Sequence, residues 1–502
     1  MTARLVTIGD SLTQGFQHGA IRRSAWSFPA MLARALEAEP FRAADFSGDG
    51  EGGPLLDLEI LLDRLSDDCG KKVDLWEIPK ALFTLQRTMS HIEEFWERGA
   101  GTQPSGTGPI HHNLGVWGFE VLDALTLSDG VCARHIPTPV DNLLRQLPEH
   151  GMYRTARRVF NPAAHADLAE LTSLALAKRL ADDDGGVENL LVGLGANNAL
   201  GPCVSLQIRR SKSGDLTRLA HDRDCNLWEP DHFALLYRSL ARELEKIGAK
   251  RVFLTTVPHV TIAPVTRGVS PDAHAEHAPE LQGGYYEYYT HFWIWDRHFD
   301  PARNDHLTRD QAREVDATID AYNDCIREEA RQRGWPVIDL CAVLDALAFR
   351  RNAGQPPYRL PAGLVAALKQ NPLSSFRVRP DGEVLLDTRY VRIPAHRPAE
   401  DASTDSWRQA FKGGVFGLDG VHPSTTGYGI VAHEVLSAFQ AAGVPGADPQ
   451  RLDWRGIVEN DSLLLCPPEL LISLEATLDA LFAKLPLDRL IDKLAGRGAE
   501  AL

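Results

Sequence analysis

An α/β protein with a parallel central sheet is what this sequence predicts, on three observations. Short apolar, β-branched runs alternate along the chain with helical patterns. The helix before the fourth run carries a one-sided apolar stripe, Phe233, Leu236, Leu240, Leu244 and Ile247, closed by Gly248. The helix before the fifth opens with Thr308 and Gln311 at capping-box spacing and continues through Val315, Ile319, Tyr322 and Ile326 to Gly334. Strand, helix, strand, helix in that order implies parallel strands joined by right-handed crossovers.

Five strands are expected: residues 4–8, a short one ending near Asn113-Leu114, then 189–194, 251–257 and 335–340. Three stretches interrupt them. Residues 17–110 hold Gly/Pro-rich segments around helical pieces such as 28–36. Residues 260–306 carry an aromatic run from Tyr285 to Trp295, and residues 341–417 include a hairpin pattern around Pro380-Asp381-Gly382. The organisation expected is one domain over residues 1–444 with insertions at about 17–110, 260–306 and 341–417. A helical extension follows over 445–502, where Leu471, Leu474, Leu478, Leu481 and Leu485 form an amphipathic stripe stopped by Pro486.

Composition narrows the function classes. The chain has 502 residues, 44% hydrophobic and 24% charged, which is ordinary globular usage. A formal net charge of -15 argues against nucleic acid or anionic membrane as the main partner. No apolar stretch is long enough to span a bilayer. Met1-Thr2-Ala3-Arg4 leads directly into the first strand, so no signal peptide is expected and the expected location is cytoplasmic. The 7 cysteines are scattered singly without a CxxC pair, which suits reduced thiols.

The run Val6-Thr7-Ile8-Gly9-Asp10-Ser11 ends a strand and opens a helix with a serine. Open α/β sheets bind ligands at that carboxyl edge, and the N–H of a first helical residue can receive an oxyanion. A serine hydroxyl needs a base to become a nucleophile. Gly417-Leu418-Asp419-Gly420-Val421-His422-Pro423 supplies a candidate, with a carboxylate three residues before an imidazole whose tautomer it can fix. Asp-x-x-His is a weak signal alone. Asn113-Leu114-Gly115-Val116-Trp117-Gly118 and Gly195-Ala196-Asn197-Asn198 follow the second and third strands, offering an N–H and an amide to one oxyanion. Singly, each reads as an ordinary loop.

In this order, the four segments resemble the motif blocks of the GDSL esterase/lipase group, the SGNH hydrolase superfamily. The matching residues are Gly9-Asp10-Ser11-Leu12, Asn113 to Gly118, Gly195 to Asn198, and Asp419 to His422. The resemblance implies a flavodoxin-like three-layer α/β/α domain with Ser11 as nucleophile, His422 as general base and Asp419 as its orienter. It also implies an oxyanion hole of Ser11 N–H, Gly118 N–H and the Asn197 side chain, with no cofactor and no metal. Trp26-Ser27-Phe28-Pro29 resembles a segment that starts a cleft-lining helix in long bacterial members. Asn198 departs from the family's usual aspartate; its carbonyl can still accept one hydrogen bond. The fourth strand, residues 251–258, matches no family block and supports the fold alone.

The expected activity is hydrolysis of carboxylic esters, acyl or lipid-like, through an acyl-enzyme. Alternatives on the same scaffold are an acyltransferase, a carbohydrate deacetylase or a catalytically silent binding protein. Other features read more plainly. A calcium loop beginning at Asp45 would need glutamate at its twelfth position and finds Leu56. His274 and His277 lack supporting metal spacing. The aromatic run is expected to pack against the main sheet, the alternative being that Tyr289 or Trp293 lines a cleft.

Overall fold

In the computed structural model of the chain, the described residues are 2–21, 23–46, 56–70, 77–106, 108–139, 148–269, 283–292, 294, 299–348, 351–352, 356–374, 376–379, 381–389, 414–468 and 470. The strands are β1 Val6–Gly9, β2 Asn113–Gly115, β3 Asn189–Gly193, β4 Arg251–Thr255, β5 Thr266–Gly268, β6 Tyr288–His291, β7 Leu307–Thr308, β8 Val337–Ile338, β9 Arg377–Val378 and β10 Val384–Leu385. The helices begin with α1 Ser11–Gln14, α2 Phe28–Ala35, α3 Leu58–Cys69, α4 Ile78–Glu97, α5 Val121–Thr126, α6 Asp129–His135 and α7 Gly151–Phe160. They continue with α8 Ser173–Asp183, α9 Asn197–Ser205, α10 Pro230–Ile247, α11 Arg309–Arg333, α12 Leu340–Leu347, α13 Ala362–Gln370, α14 Thr425–Ala441, α15 Trp454–Glu459 and α16 Ser462–Leu465.

The central sheet has five parallel strands in the order β2-β1-β3-β4-β8. Apart from β2, which is Asn113-Leu114-Gly115, its strands lie in short apolar runs, as covering on both faces requires. Leu190, Val192, Val252 and Leu254 turn to one face and join Val121, Leu180, Leu240 and Ile319 from α5, α8, α10 and α11. The intervening Leu191 and Phe253 turn to the other face, against Leu32, Leu347, Leu364, Leu436 and Ile457 from α2, α12, α13, α14 and α15. This alternation is the two-residue period of a strand buried on both sides, consistent with an α/β/α sandwich. Helices α12 and α13, within the third expected insertion, thus belong to a main covering layer.

All five expected strands form: β1 starts two residues late and reaches Gly9, β2 begins at Asn113 and ends at Gly115, and the last three stop short of their expected ends. Pairing of β4 stops at Thr255 because the Val257 N–H is taken by Asn323 Oδ1 at 2.7 Å. The fifth strand narrows to two residues: Pro336 has no N–H to give, and Asp339 already caps α12 through Ala342 N–H. The capping box at Thr308 and Gln311 forms, and Gly248 and Gly334 close α10 and α11 in the left-handed conformation.

Strands β5, β6 and β7 make a separate antiparallel sheet, and β9 pairs with β10 as the expected hairpin. Tyr286 and Tyr289 are buried with Leu206, Leu307 and Ala312 in a cluster of their own, so these rings pack at the small antiparallel sheet and not, as expected, against the main one. Trp293, His274, His277 and the stripe 471–485 lie outside the described residues. Among the described residues no helix is long and apolar enough to cross a membrane, and every described cysteine is a free thiol.

Candidate active site

Gly9 ends β1 where a side chain could not fit: a Cβ would lie 2.0 Å from Thr13 Oγ1 and 2.7 Å from Gly193 O. The chain then turns into the single-turn helix α1, whose N-cap Asp10 accepts from Leu12 N–H at 3.0 Å. Ser11 is therefore the first helical residue, beyond the carboxyl end of β1. Asn113 on β2 ties the neighbouring strand to this turn, donating to Thr13 O at 2.9 Å and accepting from Thr7 Oγ1 at 3.1 Å.

Two further bonds hold the loop after β2. Trp117 N–H donates to Gln14 Oε1 at 2.8 Å, and Phe119 O accepts from Asn197 Nδ2 at 2.9 Å. Gly118 lies between these anchors with φ of 79°, a left-handed value that favours glycine. Asn197 opens α9 just beyond β3. Asn198 Oδ1 accepts from Val121 N–H at 3.1 Å, the one bond expected of its carbonyl, while its buried Nδ2 has no partner.

The segment 414–424 folds back onto the loop after α1, where Leu418 N–H donates to His18 Nδ1 at 2.9 Å. Asp419 Oδ1 accepts from the N–H groups of Val421 and His422 at 2.9 and 2.8 Å. Its Oδ2 meets His422 Nδ1 at 3.1 Å and accepts from Gly19 N–H at 2.8 Å. Burial alone would raise the Asp419 carboxyl; the His422 charge and hydrogen bond, with the two N–H donors, hold it down at about 2. The His422 ring lies 4.5 Å from the Phe16 ring. Asp10 behaves oppositely. Its burial pushes it up to about 6, against the Leu12 N–H and the His422 charge.

Ser11, Asn197 and His422 line one pocket at the carboxyl end of β1, β3 and β4, with about 1180 Å³ of empty space including its open side. Its wall is overwhelmingly apolar. Leu12 and Phe28 come from the first connection, Leu340, Val343 and Leu344 from α12, and Val431 from α14. Phe28 follows the N-cap Ser27, so the Trp26–Pro29 segment does begin a helix on this pocket. Asp419 stands behind His422, and Gly118 is outside the lining. Among the described residues, none accepts a hydrogen bond from Ser11 Oγ, so no hydrogen bond joins it to His422.

A second histidine on this wall was missed from sequence. His259, four residues past the end of β4, has Nδ1 2.9 Å from Asp345 Oδ1 and Nε2 3.2 Å from Asp320 Oδ1. Burial lowers its basicity, but Asp345, Cys341 and Asp316 outweigh it and raise it to about 11. The signal was present as Cys341 and Asp345 four apart on α12, but it gains meaning only once β4 and β8 are known neighbours.

Comparison with the models of known families and with curated proteins gave no match to this chain.

Proposed function

We propose that the chain is a serine hydrolase of carboxylic esters on a flavodoxin-like three-layer scaffold, of the SGNH type. The observation that carries this reading is that one apolar pocket is lined by Ser11, Asn197 and a histidine already paired with a buried carboxylate. The strand order, second-first-third-fourth-fifth along the central sheet, supports the scaffold.

In the proposed reaction His422 Nε2 takes the Ser11 Oγ proton as Oγ attacks the ester carbonyl carbon. Asp419 on Nδ1 fixes the tautomer and stabilises the imidazolium that forms. The donors assigned to the developing oxyanion are Ser11 N–H, Gly118 N–H and the Asn197 amide. Collapse expels the alcohol with the proton from His422, leaving an acyl group on Ser11. Water, activated by the same imidazole, then releases the carboxylic acid and restores Ser11.

The apolar walls favour an acyl chain of several carbons over an acetyl group on a sugar, because an apolar pocket has little to offer a polyhydroxylated ring. The test is turnover of p-nitrophenyl esters of graded chain length, together with labelling by a fluorophosphonate. Ser11-dependent labelling and hydrolysis of medium-chain esters support the proposal. Undiminished turnover by Ser11→Ala overturns it.

A further inference from the structure

We propose that His259, Cys341 and Asp345 form a binding site for a divalent transition metal of zinc-like chemistry. It is set in the pocket wall but independent of Ser11 and His422. Among the described residues these three are the one group of His, Cys, Asp or Glu whose ligand atoms converge, all within 4.8 Å of one another.

The chain holds the three side chains together by means that need no metal. Cys341 and Asp345 are four apart on α12 and so share one helical face. Thr256, just beyond β4, accepts from Cys341 N–H at 2.9 Å and donates to Asp339 Oδ1, the α12 N-cap, at 3.0 Å. That bond pins the start of α12 to the strand end from which His259 emerges. The ligand face of the helix is thereby aimed at the imidazole.

Asp345 meets Nδ1 in a hydrogen bond, so a metal shared by the two would replace the proton between them at Nδ1. Asp320 then occupies Nε2, the position from which a carboxylate orients a metal-bound imidazole and raises its basicity. Arg351 is the competing cation. Its Nη2 is committed to Asp316 at 2.8 Å and Thr261 at 2.6 Å, and its Nη1 stands 3.6 Å from Asp345, outside hydrogen-bond range.

The donor set selects the ion. One imidazole nitrogen, one thiolate and one carboxylate suit zinc or cobalt, whereas calcium and magnesium take oxygen ligands. Three protein ligands leave a fourth tetrahedral position for water or another small donor. His259 and Cys341 are buried while Asp345 is partly exposed, so access is through the Asp345 side.

The test uses the full chain, treated with chelator and titrated with Co²⁺. The expected result is about one equivalent bound, with the intense visible bands of four-coordinate cobalt, a near-ultraviolet thiolate-to-cobalt band, and displacement by Zn²⁺. Cys341→Ser should lose the near-ultraviolet band, Asp320→Asn should weaken Zn²⁺ binding about tenfold, and Ser11→Ala should bind as the parent does. Cys466→Ser, at an exposed thiol, should keep the band. Overturning results are no cobalt retained at micromolar concentration, a weak six-coordinate spectrum without the thiolate band, or a band that survives Cys341→Ser. Since the unmutated chain can deliver the first two, a variant that fails to fold does not rescue the proposal.

Discussion

The backbone N–H of Gly19 donates to Asp419 Oδ2 at 2.8 Å, joining residues 400 positions apart. The carboxylate that holds His422 is thus itself held by the loop that follows Ser11. The loop after Ser11 and the segment that carries His422 are thereby joined through one carboxylate.

Asp419→Asn is expected to lower kcat by about 10⁴, since an amide no longer enforces the productive tautomer. It also leaves an NH₂ group facing donors and should destabilise the fold by about 1–3 kcal/mol. The pH dependence has a definite sign. Asp419 sits near 2 in the fold, below its ordinary 3.8, so its contribution is present above the unfolded value and is lost as pH falls through about 2. Steady-state kinetics and denaturant melts between pH 2 and 7 check both effects.

Asp10→Asn should stabilise the protein at neutral pH. The folded Asp10 carboxyl is raised from 3.8 to about 6, so the protonated form is favoured by burial. The parent loses this stability as pH rises from about 4 through about 6, by up to about 3 kcal/mol. Asparagine keeps the cap on Leu12 N–H and mimics the protonated acid. The melting temperatures of parent and variant should therefore agree near pH 4 and diverge by pH 7; a constant gap would contradict the burial argument.

Asn197→Ala should lower kcat by roughly 10²–10³ with a smaller change in KM, because an oxyanion donor acts mainly in the transition state. An equal effect on KM alone would assign Asn197 to substrate binding.

Leu344→Phe narrows the apolar wall without touching the polar groups. Loss of kcat/KM for a medium-chain ester should reach about tenfold, while the acetyl ester changes little. Uniform loss across chain lengths would place the acyl group elsewhere.

The parallel sheet could be read ahead because β1, β3, β4 and β8 lie in compact apolar runs and α10 and α11 announce their ends chemically. The strand limits could not, since they depend on side chains arriving from elsewhere, as Asn323 does at Val257. Ser11, Asn197 and His422 were found because each lies in a short local pattern, and the pocket unites them. His259 carried no such pattern: its partners Asp320, Cys341 and Asp345 lie on two helices brought beside it by packing. Likewise, nothing local foretold that Gly19 would serve Asp419.

The bond between Gly19 and Asp419 has a further consequence for biosynthesis. While the first four-fifths of the polypeptide emerge from the ribosome, Ser11 is without His422 and Asp419. Closure across so many residues belongs to the slow, non-local kind of contact. If Ser11 and His422 act as proposed, a nascent chain is hydrolytically silent, and activity should appear abruptly, only after synthesis has passed His422.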